Sequence, residues 1–349
     1  DEFFELCKLV VKHKLYIAGD IFQSIFDNNI LSSSAPDYLL NKCYRTDPRT
    51  LMLSHSIGMG LFEKNKIRWL SEEEWNACGY IYEQEQDKYS LHREPLRRFE
   101  DIESPSFDVS FINFNREIVT SYIIDKIISI KTNHPTVKPE DICIVFPIGN
   151  DIYDYVDYIQ SAIKERLGYY INKAYESKES KRENTIFVSN RNNVKGLEFA
   201  FVICVVPYLS KSRDKTNLID RNAIYMALTR SYLQSFLLLN SDHSYIKENK
   251  DNIKLGSEKI INNGYIEGII PTSEEINEIH EELNALKSKP VITLSDVLNR
   301  LFNELDISHQ YRAEIGNMIQ LRVKNKEWNE DTIRMLINAE LHMQMELQL

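Results

Sequence analysis

The sequence predicts an α/β protein, built on a parallel sheet and followed by a helical module. Five runs rich in Val, Ile and Phe are typical of strands buried on both faces, and amphipathic segments separate them. This alternation indicates a parallel sheet covered by helices. In the last hundred or so residues the strand-like runs fade and helical periodicity replaces them.

The composition is that of an ordinary folded protein. The 349 residues are 43% hydrophobic, which is enough for two or three domains with well-buried cores. The formal net charge of −10 disfavours a protein that coats nucleic acid by bulk electrostatics, but it leaves room for a narrow groove that grips a single strand. No apolar run is long enough to predict a membrane span. Five dispersed cysteines without a C-x-x-C pair predict reduced thiols and a cytoplasmic location.

The alternating pattern is clearest between residues 106 and 240. The predicted strands are DVSFINF, ICIVFP, TIFVSN, FAFVICVV and SFLLLN. The predicted helices between them are REIVTSYIIDKIISI, DIYDYVDYIQSAIKERL and Asn222–Arg230. We therefore expect residues 106–240 to form one sheet domain.

The flanking regions have other patterns. In residues 54–105, the alternating segments GYIYEQ and KYSLHRE predict a small β-containing insertion. Residues 241–349 are predicted to form a helical C-terminal module, with a capping box of Thr272 and Glu275 at its first helix. Two further helices are predicted over Arg312–Val323 and Asp331–Leu347.

Four short segments carry the candidate chemistry. In chain order they are AGDIFQSIF (Ala18–Phe26), CYRT (Cys43–Thr46), VKGLEF (Val194–Phe199) and YMALTR (Tyr225–Arg230). Each alone is compatible with an ordinary strand, turn or helix end. In this order they resemble motifs III, IV, V and VI of the UvrD/Rep-type superfamily 1 DNA helicases.

The resemblance covers about Lys14–Asn240 and implies the RecA-like second core domain of a P-loop NTPase helicase. Residues 1–53 would be the end of the first RecA-like domain and the crossover, with motifs III and IV. No G-x-x-x-x-G-K-[ST] loop occurs in the chain. We therefore expect the phosphate loop and the acidic pair that binds Mg²⁺ upstream of Asp1, in the rest of the same helicase.

The resemblance implies that this chain completes an ATP site. Gln23 would sense the γ-phosphate, and Arg45 and Arg230 would reach it, because guanidinium groups stabilise charge on phosphoryl oxygens. The other residues implied to contact or orient around the nucleotide are Tyr44 on adenine, Lys195 and Gly196 of motif V, Glu198 on the ribose, and Thr229 beside Arg230. We expect the two arginines to converge at the carboxyl edge of the sheet, where ligands bind in open α/β folds.

The resemblance also implies contacts with single-stranded DNA, and RNA is not excluded by the same residues. Phe26 would stack beneath a base. Asn190 and Asn192 stand where the family usually has Thr and His, and both can still hydrogen-bond phosphate or sugar. Two further departures are Cys43, in place of the usual Asn, and Asn28, in place of a stacking Trp.

The leading hypothesis is the C-terminal part of an ATP-dependent DNA helicase or translocase that does not hydrolyse ATP by itself. The alternative is a non-catalytic RecA-like scaffold with a helical tail that binds a protein partner. No spacing of His, Cys and acidic residues predicts a metal site in this chain. The expected partners are single-stranded DNA, the upstream part of the helicase and a protein bound by the helical module, with no membrane.

Overall fold

The computed structural model describes residues 6–7, 9–14, 43–94, 105–149, 152–175, 181–288, 294–305, 307–323 and 330–346. The chain divides into two compact units, Asp1–Ser288 and Lys289–Leu349. The described strands are β1 (Ile81–Glu85), β2 (Lys88–His92), β3 (Phe107–Ile112), β4 (Ile142–Phe146), β5 (Tyr170–Lys173), β6 (Thr185–Asn190), β7 (Phe199–Val206), β8 (Ser231–Asn240) and β9 (Tyr265–Ile269). The described helices are α1 (Pro48–Met59), α2 (Glu72–Ala77), α3 (Arg116–Asn133), α4 (Ile152–Leu167), α5 (Arg191–Val194), α6 (Lys215–Leu228), α7 (Ser244–Asn263), α8 (Ser273–Ser288), α9 (Leu294–Glu304), α10 (His309–Val323) and α11 (Glu330–Glu346).

The centre of the larger unit is a six-stranded sheet in the order β3-β8-β7-β4-β6-β5. Every neighbouring pair in it is parallel. All residues of β7, near the middle of the sheet, are buried, which is why its sequence is a continuous apolar run. The predicted α/β class and RecA-like parallel sheet are confirmed.

Helices cover both faces of this sheet. Alternate residues of β4 point to opposite faces, so that Ile142 and Ile144 pack with α3 and α4, whereas Cys143 and Val145 pack on the side of α1, α6 and α7. Helix α1 begins at Pro48, and the preceding Asp47 caps it by accepting a hydrogen bond from the Arg49 N–H. The sheet is thus the middle layer of three.

A second, three-stranded sheet has the order β1-β2-β9 and is antiparallel. The hairpin β1–β2 lies in the predicted β-containing insertion, but β9 comes from the region predicted to be helical. Helix α7 packs its buried Ile253 and Ile260 into the core that also contains Ile266 of β9. The larger unit consequently continues to Ser288, beyond the boundary predicted after residue 240. The predicted capping box of α8 is present, with Thr272 N–H donating to Glu275 and Glu275 N–H to Thr272.

The smaller unit is a three-helix cluster of α9, α10 and α11 with its own core. Leu301, Ile315 and Ile337 are fully buried in this core, and Arg334 pairs with Glu304 at 2.6 Å. Helices α10 and α11 are the two predicted from periodicity. Within the described ranges of both units, no helix is long and apolar enough to cross a membrane. The five cysteines are free.

Candidate functional site

The motif V segment runs from the carboxyl ends of the strands back to their amino ends. Asn190 ends β6 and Phe199 begins β7, and both strands are parallel to β4, which lies between them. Helix α5 and a turn at Gly196 make the crossing; Gly196 has φ +88°, which favours glycine. Asn190 therefore lies at the carboxyl edge of the strands and Glu198 at the amino edge.

Residues of motifs IV, V and VI meet at the amino edge. Arg45 Nη1 lies 2.9 Å from Glu198 Oε1. The Thr46 hydroxyl donates to the carbonyl of Thr229 at 3.3 Å, and the Phe199 N–H donates to the carbonyl of Arg230 at 2.9 Å. Three segments that are distant in sequence are therefore joined by direct contacts.

Buried hydrogen bonds hold the start of α1 at this edge. The Ser106 hydroxyl donates to the Asp47 carboxylate at 3.0 Å, and the Thr50 hydroxyl donates to the Ser106 carbonyl at 2.9 Å. Ser106 precedes β3, so these bonds tie α1 to the amino end of a strand. Arg45, two residues before Asp47, is thereby kept beside Glu198.

The Arg45–Glu198 pair is open to solvent. The side chains are 28% and 54% exposed, and exposed ion pairs contribute at most about 1 kcal/mol. The Arg45 and Glu198 side chains can therefore separate and bind a ligand at a free-energy cost of at most about 1 kcal/mol. Tyr44, predicted to stack on adenine, is also exposed (61%) beside Arg45, and Lys195 is exposed on the crossover.

Arg230 has a different environment. It is only 2% exposed, and its Nε donates to the Met226 carbonyl at 3.0 Å. The Thr229 hydroxyl donates to the same carbonyl at 3.1 Å. The two residues are thus fixed by the last turn of α6. To act as an arginine finger, the Arg230 side chain has to turn outwards.

The expected position at the carboxyl edge is wrong for Arg45 and Arg230, which lie with Glu198 at the amino edge. Glu198 immediately precedes β7 and Arg230 immediately precedes β8, so both lie where strands begin. The rule for open α/β folds describes ligands held by loops that follow strands. Here the motif residues lie in segments that enter the strands.

The carboxyl edge carries Asn190 and Asn192, two of the three residues predicted to contact a nucleic-acid strand. The Asn190 side chain accepts the Asn192 N–H at 3.0 Å and caps α5. Next to it, Arg191 donates to the buried Asp220 at 2.8 Å, and the Tyr208 hydroxyl donates to the same carboxylate at 2.9 Å.

Asp220 links this edge to α6, the helix that precedes Arg230. Burial raises the pKa of Asp220, while Tyr208 and Arg191 act in the opposite direction. The partners of this carboxylate are 29 and 12 residues away in the chain, so Asp220 was not among the predicted site residues. No local pattern signals such a contact.

The larger unit has two concave regions. A recess of about 320 Å³ at the carboxyl edge is lined by Phe114, Arg116, Asp154, Tyr155, Pro207 and Asn240. A larger groove of about 1070 Å³ lies between α7, β9 and α8, and it contains none of the predicted site residues. Gln23 and Phe26 lie outside the described residues. Among the residues that are described, no cluster of His, Cys, Asp and Glu side chains could hold a metal ion.

One family model matches part of the chain, and one solved structure is similar to it. Residues 185–238 match the family model of the UvrD-like helicase C-terminal domain, a region that includes motifs V and VI. No curated protein matches the chain. One similar solved structure is the C-terminal domain of a possible DNA helicase from Lactobacillus plantarum WCFS1, with 14% identity, coverage of 57% of this chain and 88% of that chain, and a TM-score of 0.31. The stretch that carries motifs V and VI is therefore similar to the C-terminal domain of UvrD-like helicases.

Proposed function

We propose that this chain is the C-terminal part of an ATP-dependent DNA helicase or translocase. In this proposal its amino edge supplies Arg45 and Arg230 to the γ-phosphate and Glu198 to the ribose. The carboxyl edge supplies Asn190 and Asn192 to a single strand. Domain movement driven by ATP would then change the grip on that strand.

The observation that supports this proposal most is the contact of three motifs at one edge. The Arg45–Glu198 pair and the Thr46–Thr229 hydrogen bond bring motif IV against motifs V and VI. This combination suits a nucleotide. The guanidinium groups can donate hydrogen bonds to phosphate oxygens, and the Glu198 carboxylate can accept them from ribose hydroxyls.

The residues fit ATP but supply no Mg²⁺ site. When bound, the metal would neutralise charge on the β- and γ-phosphates. The described part of the chain has no acidic cluster for it. We propose that another part of the helicase supplies the Mg²⁺ ligands and the phosphate loop. The chain alone is accordingly proposed to hydrolyse ATP at a negligible rate.

Two measurements test this function. Turnover of ATP by the chain, with and without single-stranded DNA, should stay at background; a DNA-stimulated rate near that of an ordinary helicase would contradict the proposal. In a protein that also contains the upstream part, Arg45→Ala and Arg230→Ala should each lower turnover about 10³-fold or more. Arg300→Ala, an exposed arginine of the smaller unit, is the matched control and should leave turnover unchanged.

A non-catalytic scaffold is the alternative, and the burial of Arg230 is the observation that favours it. In that case α9–α11 would bind a protein partner, and the arginine would only stabilise the end of α6. Arg230→Ala would then lower the unfolding free energy without changing the ATP turnover of the longer protein. Loss of turnover at unchanged folding would reject the scaffold.

A further inference from the structure

An exposed tyrosine stands at the carboxyl edge of the six-stranded sheet. Tyr153 is the second residue of α4, the helix that follows β4. Its neighbours Ile152, Tyr155 and Val156 are buried against the sheet, whereas Tyr153 is 55% exposed. Since α4 begins beyond the carboxyl end of β4, this ring lies at the edge that carries Asn190 and Asn192.

A second tyrosine fixes the ring of Tyr153. Tyr175, which follows β5, is only 6% exposed, and the two ring centroids are 5.5 Å apart at an angle of 88°. Edge-to-face contacts of this kind are favourable and orient the rings. Tyr153 is therefore held in place by a buried partner while more than half of it faces solvent.

The three strands that precede this pair and Asn190 are neighbours in the sheet. Lys173, the last residue of β5, pairs with Val188 of β6, and the Ala174 N–H donates to the Val188 carbonyl at 3.0 Å. Tyr175 lies in the turn that follows β5. On the other side of β6, Asn190 pairs with Phe146 at the end of β4. The aromatic pair and the amide therefore follow or end adjacent parallel strands at the same edge.

We propose that Tyr153 is a stacking platform for one base of a single-stranded nucleic acid. The proposal rests on the nucleic-acid binding proposed above for Asn190 and Asn192. An oriented, exposed ring at the edge that carries amides able to bond phosphate or sugar provides the two kinds of contact that a single strand uses. Stacking needs no base-specific hydrogen bond, so the platform accepts any base.

Binding of a fluorescent (dT)₁₆ oligonucleotide to the chain at low salt tests the platform. Tyr153→Ala should weaken binding about tenfold, which lies within the range known for loss of one stacked base. Tyr153→Phe keeps the ring and should bind within about twofold of the wild type. The matched control is Tyr170→Ala, because Tyr170 is 59% exposed but begins β5 at the opposite edge; it should also stay within about twofold.

An oligonucleotide of the same length without bases keeps the sugars and phosphates, and it gives a readout that a purely structural role would not change. Removal of all bases should weaken binding by the wild type about tenfold more than binding by Tyr153→Ala, because only the wild type loses the stack on Tyr153. Equal binding by Tyr153→Ala and the wild type would overturn the inference alone, as would equal losses in Tyr153→Ala and Tyr170→Ala. A wild-type chain that binds no oligonucleotide would overturn the inference together with the proposed nucleic-acid contacts.

Discussion

A buried ion pair joins α6 to the loop after α1, and removal of its arginine should destabilise the larger unit. The side chains of Arg221 and Glu63 are each 1% exposed, and two hydrogen bonds of 2.5 and 2.7 Å connect them. Arg221 also donates to the carbonyls of Ile57 and Ser210, and the Tyr245 hydroxyl donates to Glu63. The pair is therefore buried and held by several hydrogen bonds, although the Arg221 Nε has no partner among the described residues.

The expected cost follows from this burial. Arg221→Met leaves the Glu63 carboxylate buried without its counter-charge, and breaking one side of such a pair costs about 3–5 kcal/mol. For a domain of this size, about 2–4 °C of melting temperature is lost per kcal/mol, so we expect a decrease of about 6–20 °C. Burial, and not the number of contacts, makes this loss large.

Urea denaturation and calorimetry would measure the loss against an adjacent control. Lys64 pairs with Glu248 at 3.0 Å, but both side chains are more than half exposed, so Lys64→Ala should cost less than about 1 kcal/mol. The double variant Glu63→Leu/Arg221→Met should be more stable than Arg221→Met, because it also removes the buried, unpaired carboxylate. If Arg221→Met loses no more stability than Lys64→Ala, the reasoning is refuted.

Two further predictions concern stability. In Gly256→Ala, the new Cβ would lie 2.3 Å from the ring of Phe62, so urea denaturation should show a less stable larger unit. In the control Gly316→Ala, the nearest atom lies at 3.9 Å, an ordinary contact, so this variant should be neutral or stabilised by about 1 kcal/mol. Equal changes in the unfolding free energy of Gly256→Ala and Gly316→Ala would contradict the clash. Burial lowers the pKa of His55 to about 3, so the unfolded chain binds a proton below about pH 6.5 that the folded chain does not. The unfolding free energy should therefore fall by about 2 kcal/mol between pH 7 and pH 5 through this group. His55→Gln should lose that part of the pH dependence, and an unchanged pH profile would refute the assignment.

Most of the parallel sheet could be predicted from the sequence because its inner strands are apolar on both faces. The edge strand β5 was missed, since the short run Tyr170–Lys173 alternates weakly and only one side of it pairs. Strand β9 was missed for another reason. Tyr265–Ile269 lies between two helices in the chain, and its partner β2 is distant in sequence.

The candidate site could be predicted only as far as motif order allows. The motifs supplied Arg45, Glu198 and Arg230 as one group, and the contacts at the amino edge bring them together. The prediction of the carboxyl edge was wrong. Ligands in open α/β folds are bound by loops that follow strands, whereas Glu198 and Arg230 precede β7 and β8. The contact of Arg191 with Asp220 depends on tertiary packing and has no local sequence signal.

The crossover between Asn190 and Phe199 is short for the distance that it spans. The registers place Asn190 level with Phe146, and Phe201 level with Ile142, so Phe199 lies about 20 Å farther down the strands. Helix α5 and the turn in which the Leu197 N–H donates to the Val194 carbonyl are the compact parts of this crossover. Because four residues span about 6 Å in a helix and about 13 Å when extended, unwinding of α5 would lengthen the crossover before a displacement of Asn190 reached Glu198.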